Sequence, residues 1–171
     1  MLLAFWEVQR LTREIHHLEL RAIQTRTKLM KYQKYADRLA SSSVMTMANI
    51  AGIPSELLPR AMMFSQFSNQ ASSMDAMQRL QYCKMMGLIP YVGNPMYQSQ
   101  MEMSAFQRFK QESLKALKQQ EAQVLSEVEQ EIQLEMNTIE TRIKEKKAML
   151  DSCKKLLDEQ VRDSAPKFGL G

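Results

Sequence analysis

The sequence predicts an all-α protein: an elongated antiparallel helical hairpin or coiled coil, formed by the N- and C-terminal helices, with short helices in the middle. The chain of 171 residues contains only 5 Gly and 5 Pro, and most of these lie between positions 52 and 95. Apolar residues near both ends recur at heptad spacing, whereas no run alternates as a strand would. With 44% hydrophobic and 25% charged residues, the chain can bury a core.

The N-terminal helix is predicted from the regular spacing of its small and apolar residues. We expect it to run from about Leu2 to about Ala40, within a coiled-coil segment of residues 1–43. Steps that alternate four and three average about 3.5 residues per turn, the repeat of a left-handed coiled coil, so this helix needs a long partner. The positions are Ala4, Val8, Leu11, Ile15, Leu18, Ala22, Thr25, Leu29, Tyr32, Ala36 and Leu39.

The C-terminal helix is predicted to be the longest element. Asn94 is a good N-cap and Pro95 fits the first helical position, so residues 95–163 form one helix to about Arg162, followed by a tail at 164–171. Upstream in this helix, Leu117, Leu125 and Val128 step by eight and three, the spacing of a locally relaxed supercoil. Its regular ladder is Ile132, Met136, Ile139, Ile143, Lys146, Leu150, Cys153 and Leu157.

The middle of the chain, residues 44–94, is predicted to be a Met-rich cap of short helices and loops. Gly52 and Pro54 break the first helix. We expect two short helices, Pro59 to about Asn69 and Met74–Met86, the second capped by Ser72 or Ser73 and ended by Gly87 in a left-handed conformation.

Both the apolar ladders and the charges predict that the two ends pair antiparallel. In the expected register Val8 faces Leu157, Ile15 faces Leu150 and Leu29 faces Met136. Residues 121–140 contain six Glu and no Lys or Arg. The bases expected opposite them are Arg26, Lys28, Lys31, Lys34 and Arg38, while Glu14 and Glu19 are expected to meet Lys144, Lys146 and Lys147.

No motif indicates catalysis, a metal or a cofactor, so we expect a non-enzymatic protein that binds neither metal nor cofactor. His16 and His17 are adjacent and point about 100° apart on a helix, which favours surface positions. Cys83 and Cys153 lack neighbouring ligands and are interpreted as small apolar packing residues without a disulfide. Glu127 and Glu131 share a helix face and are expected to be solvated.

The net charge of +4 and the pI near 9.1 suggest a nucleic-acid partner only weakly. The bases of the first helix alternate with acids and are expected to be matched by the long helix, which leaves no bare strip for phosphates. Met1–Trp6 is too short for a signal-peptide core, and no apolar run is long enough to span a membrane. We expect synthesis in the cytoplasm without a cleavable signal, with export by a non-classical or type III-like route left open.

Methionines crowd the middle third, where their flexible side chains suit a surface that repacks against a partner. The alternatives are that these methionines fill an irregular core or that they bind a membrane. We expect a structural subunit or adaptor with protein partners, as a homo-oligomer or as part of a larger assembly; a membrane-interacting secreted effector or translocator is the alternative. The expected interface residues are Leu11, Ile15, Leu18, Leu29, Tyr32, Ile132, Met136, Ile139, Ile143, Leu150 and Leu157 on the coiled-coil faces, and Met62, Met63 and Phe67 in the cap.

Helical ends that pair around a variable middle resemble the plan of axial and filament proteins of flagellar and type III secretion systems, and that of phage scaffolding proteins. The resemblance is architectural and carries no shared motif. It implies a role in a repeating assembly and assigns no role to any single residue.

Overall fold

Three helices make up most of the described chain. The computed structural model describes residues 2–41 and 52–164, and in these ranges it contains α1 (Leu2–Ser41), α2 (Leu58–Met85), α3 (Pro95–Ser164) and no strand. The all-α prediction is therefore confirmed, and both long helices end within about two residues of the expected positions. Met45, Met47 and the tail beyond Ser164 lie outside the described residues.

The chain divides into two compact units. The first contains residues 1–30 and 130–171, and the second contains residues 31–129. The first unit is thus a pairing of the two chain ends, and the second contains α2 together with the adjoining parts of α1 and α3.

In the first unit, α1 and α3 meet through the predicted ladders. Leu11, Ile15 and Leu29 are buried on α1, and Ile132 and Ile139 are buried on α3. The remaining ladder positions in this unit are half-buried, apart from the buried Thr25. Burial at every ladder position means that the heptad spacing correctly identified the contact face of each helix.

Ion pairs beside this contact give the direction of the two helices. Glu14 pairs with Lys146 at 2.7 Å and Glu19 with Lys147 at 2.8 Å, whereas the later bases of α1 pair with earlier glutamates of α3. Those pairs are Arg21–Glu135 at 2.9 Å and Arg26–Glu140 at 3.5 Å. The antiparallel hairpin is confirmed, and the facing of Leu29 with Met136 stays a prediction.

In the second unit, a compact core forms where α1, α2 and α3 come together. Tyr32, Ala36 and Phe64 pack against it from its edges. Tyr35 is completely buried although it lies outside the predicted ladder. Because α1 touches more than one neighbour here, its buried face is wider than a two-helix seam. The core consists of Tyr35, Leu39, Ile53, Leu57, Ala61 and Leu125.

The break predicted between two short helices at Ser72 or Ser73 does not occur, since α2 runs unbroken from Leu58 to Met85. Both serine hydroxyls donate to the carbonyl of Asn69 in the preceding turn, at 3.1 and 2.8 Å. Serine in a helix interior has this second option besides capping, and its back-bond to the helix leaves the backbone ladder intact. From Leu58 to Met85 the chain is therefore one helix rather than two.

The turn after α2 has the predicted chemistry. Gly87 adopts a positive φ of 67°, and the N–H of Leu88 donates to the carbonyl of Cys83 at 2.9 Å, which closes a Schellman motif. The Leu88 side chain nevertheless stays exposed. At the start of α3, the side-chain oxygen of Asn94 accepts a hydrogen bond from the N–H of Met96 at 3.0 Å, which confirms the predicted N-cap.

Candidate protein-interaction surface

The predicted interface residues fall into two groups with opposite exposure. Those of the coiled-coil faces are buried or half-buried, in the first unit or, for Tyr32, against the core of the second. They are occupied by contacts within one chain. Met62, Met63 and Phe67 are instead exposed on α2 and are free to meet another molecule.

The fully buried positions of α2, its inner face, hold small side chains, while Phe64 packs against the core from its edge. The buried residues of α2 are Ala61, Ser68, Ser72 and Ala76. The hydroxyl of Ser68 donates to the carbonyl of Ser65 at 3.2 Å, so the hydroxyls of both buried serines, Ser68 and Ser72, are satisfied within α2 itself. Such a face lets α2 approach its neighbours closely but removes little apolar area from water.

The outer face of α2 carries the large apolar side chains. Met63 is 71% exposed, Phe67 61%, Met74 58% and Met77 56%. Together with the exposed Gln70 and Gln81 they recur in steps of four and three, the spacing of a coiled-coil seam. We name this row the outer seam; its members are Met63, Phe67, Gln70, Met74, Met77 and Gln81.

More exposed apolar residues follow the outer seam in sequence. The end of α2, the turn and the first turns of α3 present methionine and tyrosine side chains to solvent, and Tyr91 is the most exposed of them at 83%. A soluble monomer rarely shows so many neighbouring large apolar side chains without a binding role. They are Tyr82, Met85, Met86, Leu88, Tyr91, Val92, Met96, Tyr97, Met101 and Met103.

The charges of α2 are all engaged within the second unit. Arg79 pairs with Asp75 at 2.9 Å and also lies 3.8 Å from Glu112 of α3. Lys84 pairs with Glu102, again on α3. The outer seam itself contains no charged residue, so it is an uncharged surface bordered by charges that already have partners.

A polar cluster links all three helices in the second unit. Glu121 of α3 occupies the eight-residue gap in the apolar ladder between Leu117 and Leu125, and its side chain is only 14% exposed. One of its oxygens, Oε1, accepts a hydrogen bond from Tyr35 Oη at 3.2 Å and another from Arg60 Nε at 2.7 Å. The gap interpreted as a relaxed supercoil is therefore filled by a carboxylate with two donors.

The electrostatics of this cluster keep its two donors, Tyr35 and Arg60, protonated. Burial, reinforced by the Glu121 carboxylate, raises the pKa of Tyr35 far above its ordinary value, so the phenol keeps its proton and donates it. The hydrogen bond to Glu121 likewise raises the pKa of Arg60. The pair of Arg60 with Glu121 therefore joins α2 to α3.

The spacing and apolar character of the outer seam would suit packing against a second helix. Apolar side chains at heptad spacing on an exposed helix match the apolar row of a second helix, which would supply the missing contacts.

Among the described residues, no group of His, Cys, Asp and Glu has the arrangement of a metal site. In the same ranges, no helix combines the length and the apolar content that crossing a membrane requires.

Sequence reasoning missed the second half of the outer seam. The break predicted at Ser72 separated Phe67 from Met74 and so concealed their common face. The signal was nevertheless present, since the steps from Met63 to Gln81 alternate four and three without interruption. The only sequence signal for the part-buried cluster around Glu121 was the eight-residue gap in the apolar ladder.

Comparisons of the chain with protein-family models, with curated proteins and with solved structures found no match.

Proposed function

We propose that the protein is a non-enzymatic structural subunit or adaptor, and that it joins a larger assembly by packing the outer seam of α2 against a helix of a protein partner. The observation that carries the proposal is the exposure of Met63, Phe67, Met74 and Met77 in one row of α2, whose fully buried positions hold only small residues. The hydrophobic effect favours covering such a row of large apolar side chains.

The energetics support a partner that covers this face. Burying one large apolar side chain contributes roughly 1.5–3 kcal/mol, so leaving four of them in water forgoes a substantial stabilisation. Interfaces concentrate their energy in a few such residues. Methionine, with its flexible and polarizable side chain, adapts to the shape of the surface that it meets.

The architectural resemblance to axial and scaffolding proteins supports a repeating assembly as the setting. In the first unit the paired ends are closed by their own seam and ion pairs. The outer seam is then the surface by which one subunit reaches the next.

The test replaces Met62, Met63 and Phe67 together with serine. Circular dichroism is expected to show nearly unchanged helicity, because all three side chains are exposed. Light scattering at rising concentration is expected to show association of the wild type but not of this variant. The matched control replaces Leu134, Met149 and Leu156, which are similarly exposed in the first unit, and should associate normally. Equal association of both variants would contradict the proposal.

A second candidate function is binding to a membrane surface. It is favoured by the exposed Tyr91 and Tyr97 beside methionines at the turn, since tyrosine suits the interface between lipid and water. The absence of unpaired bases along α2 favours the protein partner instead, because interfacial helices usually present lysine or arginine to the headgroups. Flotation with phosphatidylcholine vesicles, with and without phosphatidylserine, separates the two: the chain stays at the bottom if its partner is a protein.

A further inference from the structure

We propose that the partner of the outer seam is α2 of a second copy of this chain, aligned parallel and in register. This inference rests on the proposed function and names its partner. It assigns the contact to Met63, Phe67, Met74 and Met77, with Gln70 and Gln81 in the same row.

Spacing identifies the partner as a long helix. From Met63 to Gln81 the outer seam follows the heptad repeat over about five turns of α2. A sheet edge or a globular surface has no reason to match this repeat. A second helix with the same row of side chains matches it at each position.

Charge identifies the partner as a copy of the same helix. The outer seam holds no charged side chain, and the nearby charges Asp75, Arg79 and Lys84 are paired within their own unit. Two such faces meet without repulsion between like charges, whereas a charged partner would find no opposite charge to bind.

The two glutamines identify the alignment. In a parallel pair in register, Gln70 faces Gln70 and Gln81 faces Gln81, and each amide offers both a donor and an acceptor to the other. In an antiparallel pair that keeps the whole seam in contact, Gln70 would face Met74 and Gln81 would face Met63. A polar side chain in a seam is costly without a partner, so it selects the arrangement that supplies one.

The area of the face is suitable for a stable dimer. At roughly 100 Å² for each side chain, the six positions of the outer seam offer on the order of 600 Å² per copy. Met62 and Met85, at its two ends, are also exposed and extend this area. A standard protein interface buries about 800 Å² on each partner, so the face is close to the size required.

Sedimentation velocity and light scattering of the full chain test the partner. The expected mass is twice the 19.8 kDa of one chain. Replacing Phe67 and Met74 with glutamate places like charges opposite each other and should give the mass of one chain. Gln111→Glu with Gln119→Glu adds the same charge at exposed positions of α3 and should leave the dimer intact. A wild-type chain that stays monomeric at every concentration overturns the inference.

Disulfide formation tests the alignment, in a background where Cys83 and Cys153 are serine. Gln70→Cys should form a disulfide-linked dimer under mild oxidation, because equivalent seam positions come within bonding distance in a parallel pair. The neighbouring exposed Gln78→Cys is the control and should not crosslink. If Gln70→Cys links only to Met74→Cys in a mixture of the two variants, the pair is antiparallel and the proposed alignment is overturned.

A photo-crosslinking residue at position 67, in cells that make the protein, separates this inference from the proposed function. An adduct of two copies of the chain is the expected result. Adducts formed solely with a different protein overturn the second copy as partner and leave the proposed function standing. A residue that forms no protein adduct overturns both.

Discussion

In the first unit, α1 and α3 meet through branched side chains such as Ile15, Ile132 and Ile139, flanked by ion pairs. In the second unit, the start of α2 joins a hydrophobic core through Ala61 and Phe64. Further along, α2 is buried at small residues such as Ser72 and Ala76, and the part-buried Glu121 carboxylate accepts from two donors. The first contact is stabilised chiefly by the hydrophobic effect, whereas the second combines a hydrophobic core with close approach and hydrogen bonds. The comparison shows that a helix whose fully buried residues are small can still carry large apolar side chains on its exposed face.

The largest effect is expected from a charge in the seam of the first unit. Ile139 is 4% exposed, so Ile139→Asp buries an unpaired carboxylate and should destabilise the chain by about 3–5 kcal/mol. Urea unfolding followed by circular dichroism measures this loss. Leu134→Asp is the control on the same helix, since Leu134 is 67% exposed and its replacement should cost little. Equal losses would show that the seam is not the stabilising contact.

The next effect concerns the polar cluster of the second unit. Arg60→Ala leaves the Glu121 carboxylate without its cation and should cost about 2 kcal/mol, below the full penalty of a buried pair because Arg60 is a third exposed. Replacing Arg60 with Met, Glu121 with Leu and Tyr35 with Phe removes the whole cluster and should restore stability to near the wild type. Thermal unfolding compares the two variants. A triple variant that unfolds at a lower temperature than Arg60→Ala would show that the cluster adds net stability.

A smaller effect should follow from enlarging the inner face of α2. Ala76 is completely buried, and Ala76→Leu should overpack the contact at a cost of about 1–3 kcal/mol. Met77→Leu, one residue away and exposed, is the matched control and should change stability by less than about 0.5 kcal/mol. Chemical denaturation of both variants measures the difference. A neutral Ala76→Leu would mean that α2 shifts freely against its neighbours.

The smallest effect is a pH dependence of the first unit. Hydrogen bonds from Lys146 and Lys147 lower the pKa of Glu14 and Glu19 below the ordinary value of 4.5. A lowered carboxyl pKa contributes stability that is present above this ordinary value and is lost as the pH falls through the folded-state pKa. The melting temperature of the wild type should therefore exceed that of Lys146→Met with Lys147→Met at neutral pH, and the gap should close in acid. A gap that persists after both carboxyls are protonated would contradict this assignment.

The structure could be predicted from the sequence where only two helices are in contact. In the first unit each ladder residue serves one contact, so heptad spacing identifies the buried face and the charges beside it identify the direction. In the second unit a third helix adds contacts, and the burial of Tyr35 depends on neighbours that are distant in sequence. Serines that bond back to their own helix concealed the continuity of α2, because the same residues also favour caps.

Part of the candidate surface could also be predicted from the heptad ladder. Met62, Met63 and Phe67 are exposed, because apolar residues off the ladder have no place in the hairpin seam, and their role in an interface stays a prediction. The role of Glu121 could not be predicted, because a glutamate in a gap of the ladder reads as solvated until Arg60 and Tyr35 are known to lie beside it.

The use of methionine on the outer face of α2 also gives the two contacts different chemical durability. Oxidants convert an exposed thioether to a sulfoxide, which is polar, and methionine sulfoxide reductases reverse the change. Met63, Met74 and Met77 are exposed to this reaction. The seam of the first unit is mostly isoleucine and leucine, which are inert to it, and its two sulfur-containing residues, Met136 and Cys153, are half-buried. If the outer seam binds a partner as proposed, oxidation of its methionines would weaken that contact before it affects the paired ends, and enzymatic reduction would restore the apolar surface.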